Sequence, residues 1–270
     1  MDTQEHPQLD DVIRGIAESA KYRTVCEALI RTIGRRELAA RRNVKEAVKA
    51  TKNKLHQVAG AYLDSKPAYA GWIEMLAAAT SDPDLFRHTC LEIMGHHASS
   101  WERVALLPSF YTTTLAGLPP IHSVLDVACG LNPLAIPWMP LAPGATYYAC
   151  DIYSDLVAFL NTFFGLADVD GRATTCDLVS GPPTEPVDVA LVLKILPPLE
   201  QLGRNNGIRL LRALNARHLL VSFPARSLGG RDKQMVEHYE ERFLAMIEDE
   251  DWAIQRFEYP TELVFRVTKS

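Results

Sequence analysis

Val124-Leu125-Asp126-Val127-Ala128-Cys129-Gly130-Leu131-Asn132-Pro133 is the stretch whose reading decides the fold. An apolar run that carries an acid and then turns through a single glycine has the form of a buried strand. Such a strand delivers backbone N–H groups to the ligand-binding edge of an open α/β sheet. The extra glycines of G-x-G-x-x-G, which let a backbone approach a pyrophosphate closely, are missing, so a dinucleotide fingerprint is excluded. Working outward, Ser123–Ala128, Thr146–Cys150, Arg172–Cys176, Val187–Leu193 and His218–Phe223 read as strands alternating with helical stretches, the rhythm of a parallel sheet. Ala253–Tyr259 and Glu262–Thr268 have only Pro260-Thr261 between them, too little for a crossover, and are expected as an antiparallel edge hairpin. Asp126, Asp151 and Asp177 fall 25 and 26 residues apart at the ends of the first three strands. Any one of them alone reads as a helix N-cap. In order, on successive strand ends, they are expected to share one cleft.

The first hundred residues carry helical periodicity only. In Asn43–Leu63, Val44, Val48, Leu55, Val58 and Tyr62 make one apolar stripe, and Lys45, Lys49 and Lys52 follow the same spacing on a neighbouring face. Asp82-Pro83 reads as an N-cap with proline at the first helical position. Ser99 or Ser100 is expected to cap a further helix running through Phe110 and Tyr111. The net charge of −5 hides an asymmetry: twelve Lys or Arg against four acids in Lys21–Lys66, and seven against one in Arg204–Lys233. Two basic stretches in a mildly acidic chain suit either a solvated helix surface or a polyanionic partner with a local footprint. No apolar run approaches the roughly 18 residues of a membrane helix, and the acidic N-terminus does not read as a signal peptide. The five cysteines include no C-x-x-C pair. A disulfide framework and a zinc ribbon are therefore poor readings, and a reduced, cytoplasmic protein without metal is expected. Cys129, Cys150 and Cys176, each beside one of the acids or its turn, are expected as small apolar filler.

A doubly wound sheet ending in an antiparallel hairpin is the shape of a class I S-adenosylmethionine (SAM) methyltransferase. The expected fold is therefore a Rossmann-like seven-stranded sheet with an N-terminal all-helical domain, residues 1–105 before residues 106–270. SAM has no pyrophosphate, which suits the single glycine, Gly130. On this reading Asp151 accepts from both ribose hydroxyls. Asp177 accepts from the adenine amine while Leu178 packs on the ring.

The sequence further resembles the aminoglycoside-resistance 16S ribosomal RNA methyltransferases that modify guanine N7 in the decoding site. The likeness spans nearly the whole chain. It is carried by His97-Ala98-Ser99-Ser100-Trp101-Glu102-Arg103, by Asp126–Pro133, by Leu193-Lys194-Ile195-Leu196-Pro197-Pro198-Leu199-Glu200, and by Ser222–Arg231. Lys54-Leu55-His56 and Gly60-Ala61-Tyr62-Leu63 match the helical part. The resemblance implies that Arg103 pairs with the SAM carboxylate and that His97, Ala98 and Ser99 line the methionine end. It also sets Ala128 against the cofactor backbone and Leu193 at the pocket border. Tyr62 stands where the family usually has Phe, and Ser100 where it has Thr. Trp101 fills a variable slot and is expected to pack between domains rather than to stack on a base.

Guanine N7 carries a free lone pair, so its methylation needs alignment and no general base. Glu200 is the candidate for contacting the base or organising that end of the pocket, and Lys194 for organising it or touching RNA; both read equally as a structural ion pair. A base in an A-form helix cannot present N7 to a buried methyl group, so flipping is expected. Arg226, Arg231 and Lys233 are expected to hold the flipped nucleotide's phosphates. Met235 either packs on the displaced base or joins the core. Lys45, Lys49 and Lys52 would dock on neighbouring rRNA. The implied partner is 16S rRNA within the 30S subunit, met by a monomer without membrane contact. The alternatives are an adenine-N1 enzyme of the same resistance class, a small-molecule methyltransferase with a helical lid, and a non-catalytic SAM-binding RNA clamp.

Overall fold

The computed structural model describes residues 7–58, 67–227, 230–231 and 233–270. Seven helices precede the first strand among them: α1 (Pro7–Ala17), α2 (Glu27–Ala40), α3 (Val44–Val58), α4 (Tyr69–Ala79), α5 (Pro83–Met94), α6 (Ala98–Val104) and α7 (Leu107–Thr114). On α3 the buried positions are Ala47, Thr51 and Leu55, one every four residues, with Val48 half-buried beside them. Of the expected stripe only Leu55 is fully buried among the described side chains, and the buried face is turned toward Ala47 and Thr51. Asp82 caps α5 as expected, its carboxylate accepting from the N–H groups of Asp84 and Leu85. The helix expected from Ser99 through Tyr111 is two helices, broken at 105–106 ahead of Pro108, whose ring cannot continue a helix interior. His97, not a serine, stands at the N-cap of α6.

The strands are β1 (Ile121–Val127), β2 (Leu141–Asp151), β3 (Gly171–Thr175), β4 (Val187–Leu193), β5 (Ala216–Pro224), β6 (Trp252–Glu258) and β7 (Glu262–Lys269). They pair in the order β3-β2-β1-β4-β5-β7-β6. The first five are parallel and β7 runs antiparallel between β5 and β6. The strand order reverses between β1 and β4, and in open α/β sheets that reversal leaves a crevice at the carboxyl ends of the strands. A two-residue ladder, 226–227 with 230–231, was not foreseen. Helices α8 (Ser154–Leu166), α9 (Leu196–Leu202), α10 (Asn206–Ala213) and α11 (Lys233–Met246) complete the layers.

Packing divides the N-terminal helices. α4–α7 contribute Trp72, Leu76, Phe86, Ile93 and Phe110 to the same apolar core as β1 and α8. α1–α3 build a smaller core of their own around Ile16, Leu29, Ile33 and Leu55. The break in packing therefore falls between α3 and α4, within the segment read above as one helical domain. Trp101 does not pack between domains: it is 62% exposed, with its ring edge resting over Gly95. No helix among the described residues is long and apolar enough to cross a membrane.

Candidate functional site

The crevice at the reversal point is a cleft of about 870 Å³, its open mouth included. Its floor is the turn after β1. Ala128 and Gly130 both have positive φ, +50° and +52°. For Ala128 that is an unusual backbone, held in place by the surrounding fold. At Gly130 a Cβ would meet the His97 ring at 2.8 Å, so only glycine fits between turn and imidazole. The Gly130 N–H donates to Asp151 Oδ2 at 2.9 Å, and the Ile152 N–H to Oδ1 at 2.7 Å. Burial pushes the Asp151 pKa above the ordinary carboxylate value despite these donors.

Asp177, just past β3, lines the same cleft. It accepts from Ser180 Oγ (2.8 Å), the Val179 N–H (2.9 Å) and Thr32 Oγ1 of α2 (2.9 Å). Leu178, Leu193, Ile195, Pro198, Leu199 and Leu202 make an apolar wall, and Leu29 reaches in from α2. His97, Ser99 and Lys194 close the other side. The His97 imidazole is held neutral: burial, with Arg103 and Lys194 nearby, lowers its pKa to about 4. Its Nδ1 lies 3.3 Å from both Ser99 Oγ and Ser100 Oγ.

The third acid is elsewhere. Asp126 sits within β1, fully buried, and is not part of the cleft wall. It accepts from Asn132 Nδ2 and Tyr147 Oη, both at 2.8 Å, and burial pushes its pKa up to about 7. The expectation of three carboxylates in one cleft is corrected to two, because a side chain one residue inside a strand points to a sheet face rather than over the edge.

Arg103 has partners inside the protein. Its guanidinium is buried and filled from within: Nε and Nη2 donate to Glu262 at 3.2 and 2.5 Å, and Nη1 to Asn132 Oδ1 at 2.8 Å. It lies behind the cleft wall, not on it. Glu262, at the start of β7, was missed by sequence reasoning. Burial works to raise its pKa, but Arg103 and Lys194 outweigh that and hold it below the ordinary value. Lys194, itself at φ +59°, pairs with Glu102 and lies 3.4 Å from Glu262. A glutamate opening the second strand of a hairpin gave no local signal; only a search for the counter-charge of two buried cations could have found it.

Glu200 does not face the cleft. Its carboxylate accepts from the Gly207 N–H at 2.6 Å and the Asn205 N–H at 3.3 Å, where it caps α10. The base-contacting role expected for it has no support in that geometry. Ala98 is half-buried on α6 and outside the cleft wall, whereas Ala128, Gly130, Asp151, Asp177, Leu178 and Leu193 are all in it. Cys150 and Cys176 line it as well, and Cys129 is buried beneath. All three are free thiols. Among the described residues no cluster of His, Cys, Asp and Glu could hold a metal ion. On α3, Lys45 and Lys49 are exposed and Lys52 is half-buried. Met235 is half-buried on α11. Tyr62 and the side chains of Arg226, Arg231 and Lys233 lie outside the described residues.

The cleft suits a ligand with a nucleoside at one end. Two carboxylates on adjacent strand ends accept hydroxyl or amine protons, and an apolar wall is ready for a ring. Comparison with known proteins agrees. A family model described as ribosomal RNA methyltransferase (FmrO) matches residues 18–266. The chain is 36% identical over 266 residues to a 16S rRNA (guanine(1405)-N(7))-methyltransferase of Micromonospora echinospora, covering 97% of each. It is 39% identical to one of Frankia casuarinae, covering 97% of this chain and 94% of that one. Among solved structures, the 16S rRNA methyltransferase RmtF in complex with S-adenosyl-L-homocysteine superposes with a TM-score of 0.84 at 29% identity, over the whole of both chains.

Proposed function

The chain belongs to the FmrO family of ribosomal RNA methyltransferases, and from that premise we propose that it methylates N7 of guanine 1405 in 16S rRNA, with SAM as donor. The fold is that of a class I SAM methyltransferase. The observation that carries the reading is the pair of carboxylates, Asp151 and Asp177, on adjacent strand ends of one apolar-walled cleft. SAM, when bound, supplies a sulfonium methyl group that the N7 lone pair takes without any proton being removed.

The chain's own residues then have four tasks. Asp151, held by two backbone N–H groups, accepts from the ribose hydroxyls. Asp177 accepts from the adenine amine, and Leu178 packs on its ring. The neutral His97, with Ser99, closes the methionine end without adding positive charge beside a sulfonium. Lys194, already paired with Glu102, orders the cleft wall in a reaction that needs no acid or base. Arg103 gives three of its five N–H groups to Glu262 and Asn132, and the two that remain, one on each Nη, are left for the carboxylate of the bound donor.

Residues 1–105 serve mainly docking and residues 106–270 mainly donor binding, with His97 and Ser99 of the first part lending side chains to the cleft. Lys45, Lys49 and Lys52 face rRNA phosphates, and Arg226, Arg231 and Lys233 hold the target nucleotide. The substrate form is the assembled 30S subunit, met by a cytoplasmic monomer. Methylation takes an acceptor from N7 and adds a positive charge, both hostile to a cationic aminoglycoside such as gentamicin or kanamycin. Primer extension on 30S subunits treated with protein and SAM, after reductive cleavage at the modified base, tests the reading. A strand stop at guanine 1405 is expected. A stop at a neighbouring adenine, or none, overturns it.

A further inference from the structure

The N-terminal helices do more than stand beside the cleft. The segment between α1 and α2 is bonded to the chain immediately after Asp151: the Cys26 N–H donates to the Ile152 carbonyl at 2.7 Å, and the Ser154 N–H to the Thr24 carbonyl at 2.8 Å. Val25 and Tyr153 form an antiparallel bridge there. One helical turn into α2, Leu29 enters the cleft wall. Thr32, on the same face three residues on, sets its hydroxyl on Asp177. One turn further, Arg36 donates to the Leu202 carbonyl at the end of α9, part of the apolar wall. A single helix from the part of the chain read as rRNA-docking therefore reaches Asp177 and the apolar wall, and the segment leading into it is bonded to the chain just after Asp151.

We propose that Thr32 is a specificity-determining positioning residue for the donor: its hydroxyl orients Asp177 as the acceptor for the exocyclic amine of adenine. The proposal rests on the SAM reading of the cleft. Among the described residues three donors converge on Asp177, from Ser180, the Val179 backbone and Thr32, and of these only Thr32 comes from outside the loop that carries the acid. The two local donors turn with that loop. Thr32 fixes the carboxylate against an independent element, so the direction of its free lone pairs is set by the docking of α2. An acceptor aimed in this way welcomes an amine and repels a carbonyl oxygen at the same place, and a site built for one hydrogen-bond polarity discriminates strongly against its inverse.

Calorimetry on the full chain with two ligands tests this: S-adenosyl-L-homocysteine, and S-inosyl-L-homocysteine, whose base carries a carbonyl where adenine carries the amine. Wild type is expected to prefer the adenosyl ligand. Thr32→Val is expected to bind it about fivefold to tenfold more weakly, because the Asp177 carboxylate is no longer held in line with the amine and that hydrogen bond weakens, while its affinity for the inosyl ligand is unchanged or improved. Thr32→Ser, which keeps the hydroxyl, is expected to stay within about twofold of wild type for both. Thr32→Ala should repeat the valine pattern, so a folding defect in one variant leaves the other informative. Equal weakening for both ligands would mark Thr32 as packing only and overturn the proposal, as would full discrimination retained in Thr32→Val. If wild type binds neither ligand, it is the SAM reading itself that fails.

Discussion

His97 is a titratable ring that the fold can hold only in its neutral form. Burial, Arg103 and Lys194 lower its pKa to about 4, whereas in the unfolded chain it takes a proton near 6.5. Between those values the unfolded state binds the extra proton, so this contribution is complete above about pH 6.5 and is lost as pH falls toward 4. From pH 7 to pH 5, wild type should lose about 2 kcal/mol more unfolding free energy than His97→Gln, read from urea melts at the two pH values. Asp126 pulls the other way, since its raised pKa favours the folded state as pH falls, and for that reason the difference between variants is the quantity to measure. Asp151→Ala is expected to abolish measurable binding of S-adenosyl-L-homocysteine by calorimetry while leaving the fold intact, because it removes the acceptor and frees two backbone donors to water. The acids at positions 151 and 177 were legible from their place at strand ends. Asp126 shares their spacing but belongs to a buried network with Asn132, Tyr147 and, through Asn132, Arg103. Spacing along the chain does not distinguish the last residue of a strand from the last but one, and that step moves a side chain from the cleft to the core.

Elements were more legible than residues. All seven strands of the main sheet overlap the runs read from the sequence, because short β-rich apolar runs bounded by turns carry their own signal. Asp82-Pro83 marked the start of α5 for a reason that acts within three residues, a side-chain oxygen over free N–H groups. Asp82→Ala should cost about 1 kcal/mol in urea unfolding. The split of α6 from α7 and the packing break after α3 were not legible, since both depend on what a helix meets in space. The β1 turn joins the two kinds of information. Gly130→Ala asks an L-residue to adopt φ +52° and drives a methyl into His97, so it is expected to destabilise the chain by about 1–3 kcal/mol and to weaken S-adenosyl-L-homocysteine binding in parallel. A thermal melt and a calorimetric titration of the same sample would check both, and a variant as stable as wild type would show that the turn is looser than its geometry indicates.

At the scale of the whole molecule, charge and cleft are separable. Lys45 and Lys49 are exposed on α3, away from the cleft wall. Lys45→Glu with Lys49→Glu should leave S-adenosyl-L-homocysteine affinity unchanged, lower 30S methylation, and flatten the slope of log affinity against log salt by about 0.7–0.9 for each phosphate no longer neutralised. An unchanged slope would remove α3 from the docking face. Charge asymmetry along the chain is the ground for proposing this face; the balance of charge inside the protein was invisible until strands far apart in sequence were paired. Glu262 lies sixty residues after Leu202, the last residue of the cleft wall, and it neutralises Arg103 and Lys194 behind that wall. A ribosome making this protein emits the two cations long before their anion. Until β7 inserts between β5 and β6, Lys194 has only Glu102 and Arg103 has no carboxylate partner, so donor-binding competence should arrive abruptly and late in synthesis rather than grow with the length of chain released.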